Sequence, residues 1–99
     1  MPYGYLGSMK TTPGHRDDVV KILVSGAEGL REVGCLLYVV GVDDADDVTI
    51  WVSEVWQSKE QHDASLQLPE TRAAVGAAMP MLTGEFTSQE TTVIGGLGV

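Results

Sequence analysis

A chain of 99 residues is long enough for one domain and too short for two. Acidic residues outnumber basic ones by 14 to 6, and the formal charge of -8 repels phosphate backbones and anionic lipid. We therefore expect neither nucleic acid nor a membrane among the partners. Cys35 is the single cysteine, which excludes an intrachain disulfide and fits a cytoplasmic location.

The N-terminal part of the chain predicts a strand, a helix and a second strand. Residues 3–11 have strand composition, and Thr12 is a candidate helix cap ahead of a proline. Apolar residues then recur at helical spacing over about 15–32, and a glycine at position 34 favours the helix end. Residues 35–42 form a strongly apolar strand.

The C-terminal part completes the domain. An acidic turn at 43–47 leads to a strand at 48–56, so these two strands predict an antiparallel hairpin. Ser58 and Gln61 fit a capping box for a short helix before Pro69. A further helix over about 70–79, a turn at 83–84 and a strand over 85–94 follow, and glycine-rich residues 95–99 predict a flexible tail outside a domain spanning 1–94.

The resulting order βαββααβ is that of a ferredoxin-like α+β fold, with a four-stranded antiparallel sheet and helices on one face. Both hairpin strands carry apolar residues on both faces, which one short chain cannot cover alone. Simple alternation places Leu36, Tyr38 and Val40 on one face of the first hairpin strand. We expect these three residues to form the interface of a homodimer, since isolated exposed apolar residues explain the pattern less well.

Two sequence elements resemble the antibiotic biosynthesis monooxygenase family. Residues 34–38, Gly-Cys-Leu-Leu-Tyr, are similar to the Gly-Cys-x-x-Tyr element that opens the second strand of its members. Residues 54–60 are similar to the Glu-x-Trp-x-Ser/Asp-x-Glu step into the second helix. The resemblance implies a dimeric α+β barrel with a pocket between each sheet and its helices. Members of this family include cofactor-independent oxygenases, haem-degrading enzymes and isomerases. The fold alone therefore does not determine the reaction.

The chain departs from the family pattern at one functional position. Many members carry a histidine nine residues after the tryptophan, where this chain has Ser65, and the nearest histidine is His62, about one helical turn earlier. The strand-one asparagine of the haem-degrading branch is missing, because the chain contains no asparagine. We therefore predict no haem, and no other cofactor.

His62 is the candidate catalytic residue, because histidine exchanges a proton near neutral pH and can act on a phenol or an oxyanion. A solvated or merely structural helix histidine is the alternative. The other histidine, His15, lies near a helix N-terminus and reads as a surface residue. Two distant histidines and one cysteine do not make a zinc site, so no metal is predicted.

The predicted substrate-binding residues combine aromatic, hydroxyl and cationic side chains. Aromatic rings can line a pocket for a planar ligand, Ser65 can support the histidine, and an arginine can pair with an anionic oxygen, although packing and solvation are the competing explanations. The predicted set is Tyr5, Trp51, Trp56, Ser65 and Arg72.

Three functions remain open at this point. The resemblance favours a cofactor-independent monooxygenase of a small aromatic or quinol-type substrate. A non-oxidative isomerase of a small carbonyl compound would need a base and a polar pocket but no oxygen. A non-catalytic dimer that binds a small ligand is the third, and it gains from the missing family histidine.

Overall fold

The fold is known from a computed structural model that describes residues 1–99. Four strands form one antiparallel sheet in the order β2-β3-β1-β4, and three helices lie against one of its faces. None of the helices is long and apolar enough to cross a membrane. The elements are β1 Tyr3–Thr11, α1 Arg16–Ser25, β2 Cys35–Val42, β3 Thr49–Trp56, α2 Lys59–Ser65, α3 Pro69–Ala78 and β4 Leu82–Thr92, with 3₁₀ segments at Glu28–Val33 and Met79–Met81. The predicted α+β fold with helices on one face is confirmed.

The core lies between the sheet and the helices. Ile50 and Val52 of β3 pack with Val19 of α1 and Ala78 of α3, and all four are buried. A second cluster surrounds Trp56, which is 1% exposed, at the other end of β3. Because strand side chains alternate, the helix-facing positions of β3 are those of even number, and this places residue 54 between the two clusters.

The first helix is shorter than its apolar pattern predicts. It ends at Ser25 rather than near residue 32, and a 3₁₀ segment follows. Glycines at positions 26 and 29 each weaken a helix by about 1 kcal/mol against alanine, which is enough to stop a weakly amphipathic helix. The predicted cap at Thr12 is also wrong, since His15 occupies the N-cap and no side chain caps the helix.

A β-bulge at Leu36 changes the face assignment of β2. Cys35 pairs with Trp56, whereas Leu37 already pairs with Val55, so one residue is extra in β2. Simple alternation therefore fails at this point. Tyr38 turns to the helix-facing side of the sheet together with Cys35, and Leu37 turns to the other side.

The bulge corrects the predicted location of two interface residues. Tyr38 and Val40 pack against the core formed with the chain's own helices, so they do not lie on the open face of the sheet. Leu36 is 45% exposed at the bulge itself. The apolar side chains on the open face are instead Leu6, Leu37, Val39, Trp51 and Val55.

The C-terminal half follows the predicted order with shifted boundaries. Ser58 caps α2 as predicted, with its hydroxyl oxygen accepting the backbone N–H of Gln61 at 3.2 Å. Pro69 begins α3 at a position where its missing N–H has no cost. The predicted turn at 83–84 is wrong, because β4 already starts at Leu82 and Gly84, with φ of 90°, lies within the strand.

Candidate functional site

His62 is enclosed by aromatic rings from two strands. Its ring centroid lies 5.1 Å from that of Tyr3 and 5.2 Å from that of Tyr5, and the Tyr5 ring stacks on it at 25°. Trp56 approaches edge-on at 5.6 Å. The histidine is 8% exposed, so the three rings and α2 hold the imidazole in one position. We refer to Tyr3, Tyr5, Trp56 and His62 as the aromatic box.

The two nitrogens of His62 have different surroundings. Nδ1 lies 2.9 Å from Oδ1 of Asp63, whose pKa is held below its usual range chiefly by this hydrogen bond. An ionised carboxylate accepts, so Nδ1 is the nitrogen that carries the proton. Nε2 has no hydrogen-bond partner within the chain. It is also not fully buried, because the only fully buried polar side-chain atom without a partner is Oγ1 of Thr11. Nε2 is therefore an unoccupied acceptor with some access from outside the box.

Glu54 is a second polar group on the same side of the sheet. It pairs in register with Tyr5 of β1 and Tyr38 of β2, so its side chain projects between two tyrosines. Its Oε1 accepts the indole N–H of Trp56 at 2.9 Å, while Oε2 has no partner. Burial raises the pKa of Glu54, and the Trp56 hydrogen bond and the nearby His62 oppose that rise.

Charged side chains link α2 to β4 at the edge of the box. Lys59 Nζ lies 2.6 Å from Oε1 of Glu90 and 3.7 Å from Oδ2 of Asp63. The Tyr3 hydroxyl donates to the same Glu90 oxygen at 2.9 Å. The single ammonium at this edge is therefore shared between two carboxylates, and the surroundings of the box are acidic.

The tyrosines around the site stay neutral. Burial raises the pKa of Tyr38 to about 12, and burial followed by the Glu90 hydrogen bond raises that of Tyr3. Burial and the Glu54 charge also raise the pKa of Tyr5. These hydroxyls can donate hydrogen bonds, and the group placed to take a proton from a ligand is the imidazole of His62.

Three of the predicted site residues meet at the aromatic box. Tyr5 and Trp56 each lie against His62 through the ring pairs described above. Ser65 is buried one turn away, but its hydroxyl donates to the backbone carbonyl of His62 at 2.6 Å. Ser65 thus holds the end of α2 in place and has no free proton to offer a ligand.

Trp51 and Arg72 lie away from the box. Trp51 faces the open side of the sheet, because it alternates with buried Ile50 and Val52, and its indole N–H donates to Asp43 at 2.9 Å. Arg72 lines an open groove of about 380 Å³ between α3 and the segment that joins α2 to α3, and this groove does not include His62. A smaller cavity of about 100 Å³ lies between the 3₁₀ segment and β2, against Cys35 and Tyr38.

Sequence reasoning missed Glu54, Tyr3 and Asp63. The sequence does contain a signal for Glu54. Residue 54 lies on the same face of β3 as three buried apolar residues, and it is the only carboxylate on that face of the strand. Tyr3 and Asp63 carry no such signal, because their roles depend on how β1 and α2 are placed around His62. No group of three or more histidine, cysteine or acidic side chains is placed to hold a metal ion.

Comparison with known proteins identifies the family to which this chain is similar. The sequence profile of the family described as antibiotic biosynthesis monooxygenase matches residues 2–77. A solved structure named for this family, from Chloroflexus aurantiacus J-10-fl, is 43% identical, with 97% of this chain and 96% of that chain covered and a TM-score of 0.87. No curated protein matches the sequence.

More distant structures share the fold alone. One from Caulobacter crescentus CB15 has a TM-score of 0.86 at 19% identity, covering 95% of this chain and 91% of that one. One from Nitrosomonas europaea has a TM-score of 0.87 at 8% identity, covering 94% and 90%. With the profile match spanning most of the sequence, the chain belongs to the antibiotic biosynthesis monooxygenase family.

Proposed function

We propose that the protein is a cofactor-independent monooxygenase that acts on a small hydroxylated aromatic or quinol-type substrate. The observation that carries the proposal is the arrangement of His62, whose Nδ1 is bound to Asp63 while Nε2 is free. A histidine fixed in this tautomer is a general base, and the surrounding rings suit a planar ligand. Family membership supports oxygenation as the reaction.

The chemistry needs a base and a shielded site. Nε2 of His62 takes the proton of a phenolic or enolic hydroxyl, and the electron-rich anion then gives electrons to dioxygen. A carbon–oxygen bond forms to give a peroxide anion, which takes the proton back from the imidazolium and becomes a hydroperoxide. The imidazole then takes the ring C–H proton while the O–O bond breaks, which leaves a carbonyl group, and the imidazolium protonates the departing hydroxide to water. For an anthrone, one oxygen atom of dioxygen becomes the new ring ketone, the other leaves as water, and all four electrons come from the substrate carbon.

Oxygen uptake tests the proposal directly. We expect anthrone or 1,4-dihydroxynaphthalene to consume dioxygen faster with the protein than without it. His62→Ala should lower that rate by about 10²-fold or more, the usual contribution of a positioned base. The matched control is His15→Ala, because His15 is exposed and far from the box. An unchanged rate in His62→Ala would exclude this assignment.

A second candidate is a non-oxidative isomerase of a small carbonyl compound. It is favoured by one observation, the presence of both Glu54 and His62 on the same side of the sheet, since an isomerase takes a proton at one atom and returns it at another. Turnover under strictly anaerobic conditions would favour the isomerase. Ligand-induced thermal stabilisation without turnover of any stabilising compound would instead favour a ligand-binding dimer.

We also propose that the chain works as a homodimer through the open face of its sheet. Leu6 and Val39 are 43% and 51% exposed there, and Trp51 is 39% exposed beside them. A contiguous apolar patch on a sheet face is typical of an interface between subunits. The predicted contribution of Leu36 stays a prediction, and Tyr38 and Val40 would support the interface from the opposite side of β2.

A further inference from the structure

Glu54 has no part in the proposed base chemistry, although it faces the helices from β3, as Glu90 does from β4. One carboxylate oxygen is held by the Trp56 indole, and the other has no partner within the chain. The groups that face it are Tyr5 from β1, Cys35 and Tyr38 from β2, and His62 from α2. None of these is a permanent cation. A ligand beside His62 therefore meets an uncompensated carboxylate.

The wider charge distribution has the same sign. Asp63 and Glu90 lie at the edge of the box, and both already share the single ammonium of Lys59. An anionic ligand loses hydration when it binds, and no free cationic side chain lies there to compensate for that loss. Like charges repel strongly in a partly buried site, so the same carboxylates that tolerate a neutral ring would disfavour a charged one.

We infer that Glu54 selects for uncharged, hydroxyl-bearing rings and rejects anionic ones at the His62 site. Its free oxygen accepts the hydroxyl of a neutral ring and repels a carboxylate, sulfonate or phosphate. The inference rests on the proposed function, because it takes the aromatic box as the place where the ring binds. It narrows the substrate class to phenols and quinols that lack an acidic substituent.

Binding of a matched pair of ligands tests the inference. The two probes are 6-hydroxynaphthalene-2-sulfonamide, which is neutral, and 6-hydroxynaphthalene-2-sulfonate, which is ionised at any working pH. Calorimetric dissociation constants should favour the sulfonamide by roughly tenfold or more in the wild type, as like-charge repulsion requires. Glu54→Gln keeps the acceptor for Trp56 and removes the charge, so it should narrow that ratio by roughly tenfold.

Two further variants complete the experiment. Glu54→Met removes the charge with a side chain of similar length and serves if the glutamine variant does not fold. Glu85→Gln removes the same formal charge from an exposed site on β4 and should leave the ratio unchanged.

The possible outcomes separate the two proposals. Equal affinity for both probes in the wild type, or a ratio that persists without the Glu54 charge, overturns the inference while oxygen uptake can still stand. Discrimination by Glu54 without oxygen uptake on any neutral quinol supports the inference and removes the oxygenase. Binding of neither probe counts against both.

Discussion

At the scale of single residues, the site depends on the proton position of one imidazole. Asp63 is next to His62 in sequence and accepts its Nδ1 proton at 2.9 Å, which leaves Nε2 as the acceptor. The carboxylate also offsets the positive charge that appears when the ring takes a second proton. In the proposed reaction Asp63 is therefore a positioning residue, which acts on a substrate only through His62.

Asp63→Asn should lower the rate of substrate oxidation by about tenfold, the lower end of what a lost orienting partner of a histidine costs. The loss should fall on kcat and leave KM nearly unchanged, because Asp63 orients the imidazole and does not touch the substrate. Steady-state kinetics measure kcat and KM separately, and Asp44→Asn in the hairpin turn is the control. A loss confined to KM, or an equal loss in Asp44→Asn, would contradict the positioning role.

Glu54 should cost the fold stability when it is ionised. Burial raises its folded-state pKa, so its favourable contribution is complete below the ordinary glutamate range and is lost as the pH rises through the folded-state pKa. Glu54→Gln should therefore melt a few degrees higher than the wild type at neutral pH, and this difference should disappear below the ordinary glutamate range. Thermal melts across pH measure this. An equal gain in the exposed control Glu85→Gln would rule out burial as its cause.

Some residues of the candidate site can be predicted from the sequence and others cannot. His62, Tyr5 and Trp56 could be found because their residue types and strand or helix positions already indicate a pocket. Tyr3 could not, since its contact with His62 joins residues that are far apart in sequence. Trp51 shows the reverse case, because its residue type suggests a pocket while strand alternation puts it on the face opposite His62.

At the scale of elements, the sequence pattern predicted the order of strands and helices well and their ends less well. The hairpin turn is an example of success, because Asp46 accepts backbone N–H groups from Val48 and Thr49 and so favours a turn there. The bulge at Leu36 is an example of failure. The extra residue in β2 depends on how this strand pairs with β3, and no residue type in β2 indicates a bulge at that position.

The link between α2 and β4 should depend on pH and salt. Glu90 binds Lys59 and Tyr3, and these two hydrogen bonds hold its pKa below the usual range. Its stabilising contribution is therefore present above the ordinary glutamate range and disappears as the pH falls through the depressed value. Glu90→Gln should melt lower than the wild type at neutral pH, with the gap closing in acid.

High salt should narrow the same gap, because the pair is exposed and screened by ions. Glu60→Gln is the control. Glu60 lies on α2, the helix that carries Lys59, but it has no cationic partner, so this variant should melt as the wild type does. A Glu90→Gln gap that persists at low pH would mean that the glutamate contributes through packing rather than charge.

At the scale of the whole molecule, the proposed dimer depends on one face of the sheet. Helices cover the side that carries Ile50 and Val52, while the side that carries Val39 and Trp51 has no cover from the chain itself. The sequence could predict that both sides of the hairpin are apolar. It could not predict which residues stay open, because the bulge at Leu36 reverses the faces of β2 beyond it.

Val39→Asp therefore tests the dimer with a matched control. Val39 is 51% exposed on the open face and Val24 is 55% exposed on α1, so an aspartate at either position has similar access to water in one chain. Burying an unpaired carboxylate between two sheets is strongly unfavourable, and only the Val39 variant would do so. We expect light scattering to give a dimer for the wild type and for Val24→Asp, and a monomer for Val39→Asp at micromolar concentration. If Val39→Asp remained a dimer of wild-type stability, the two copies would have to meet through some other surface.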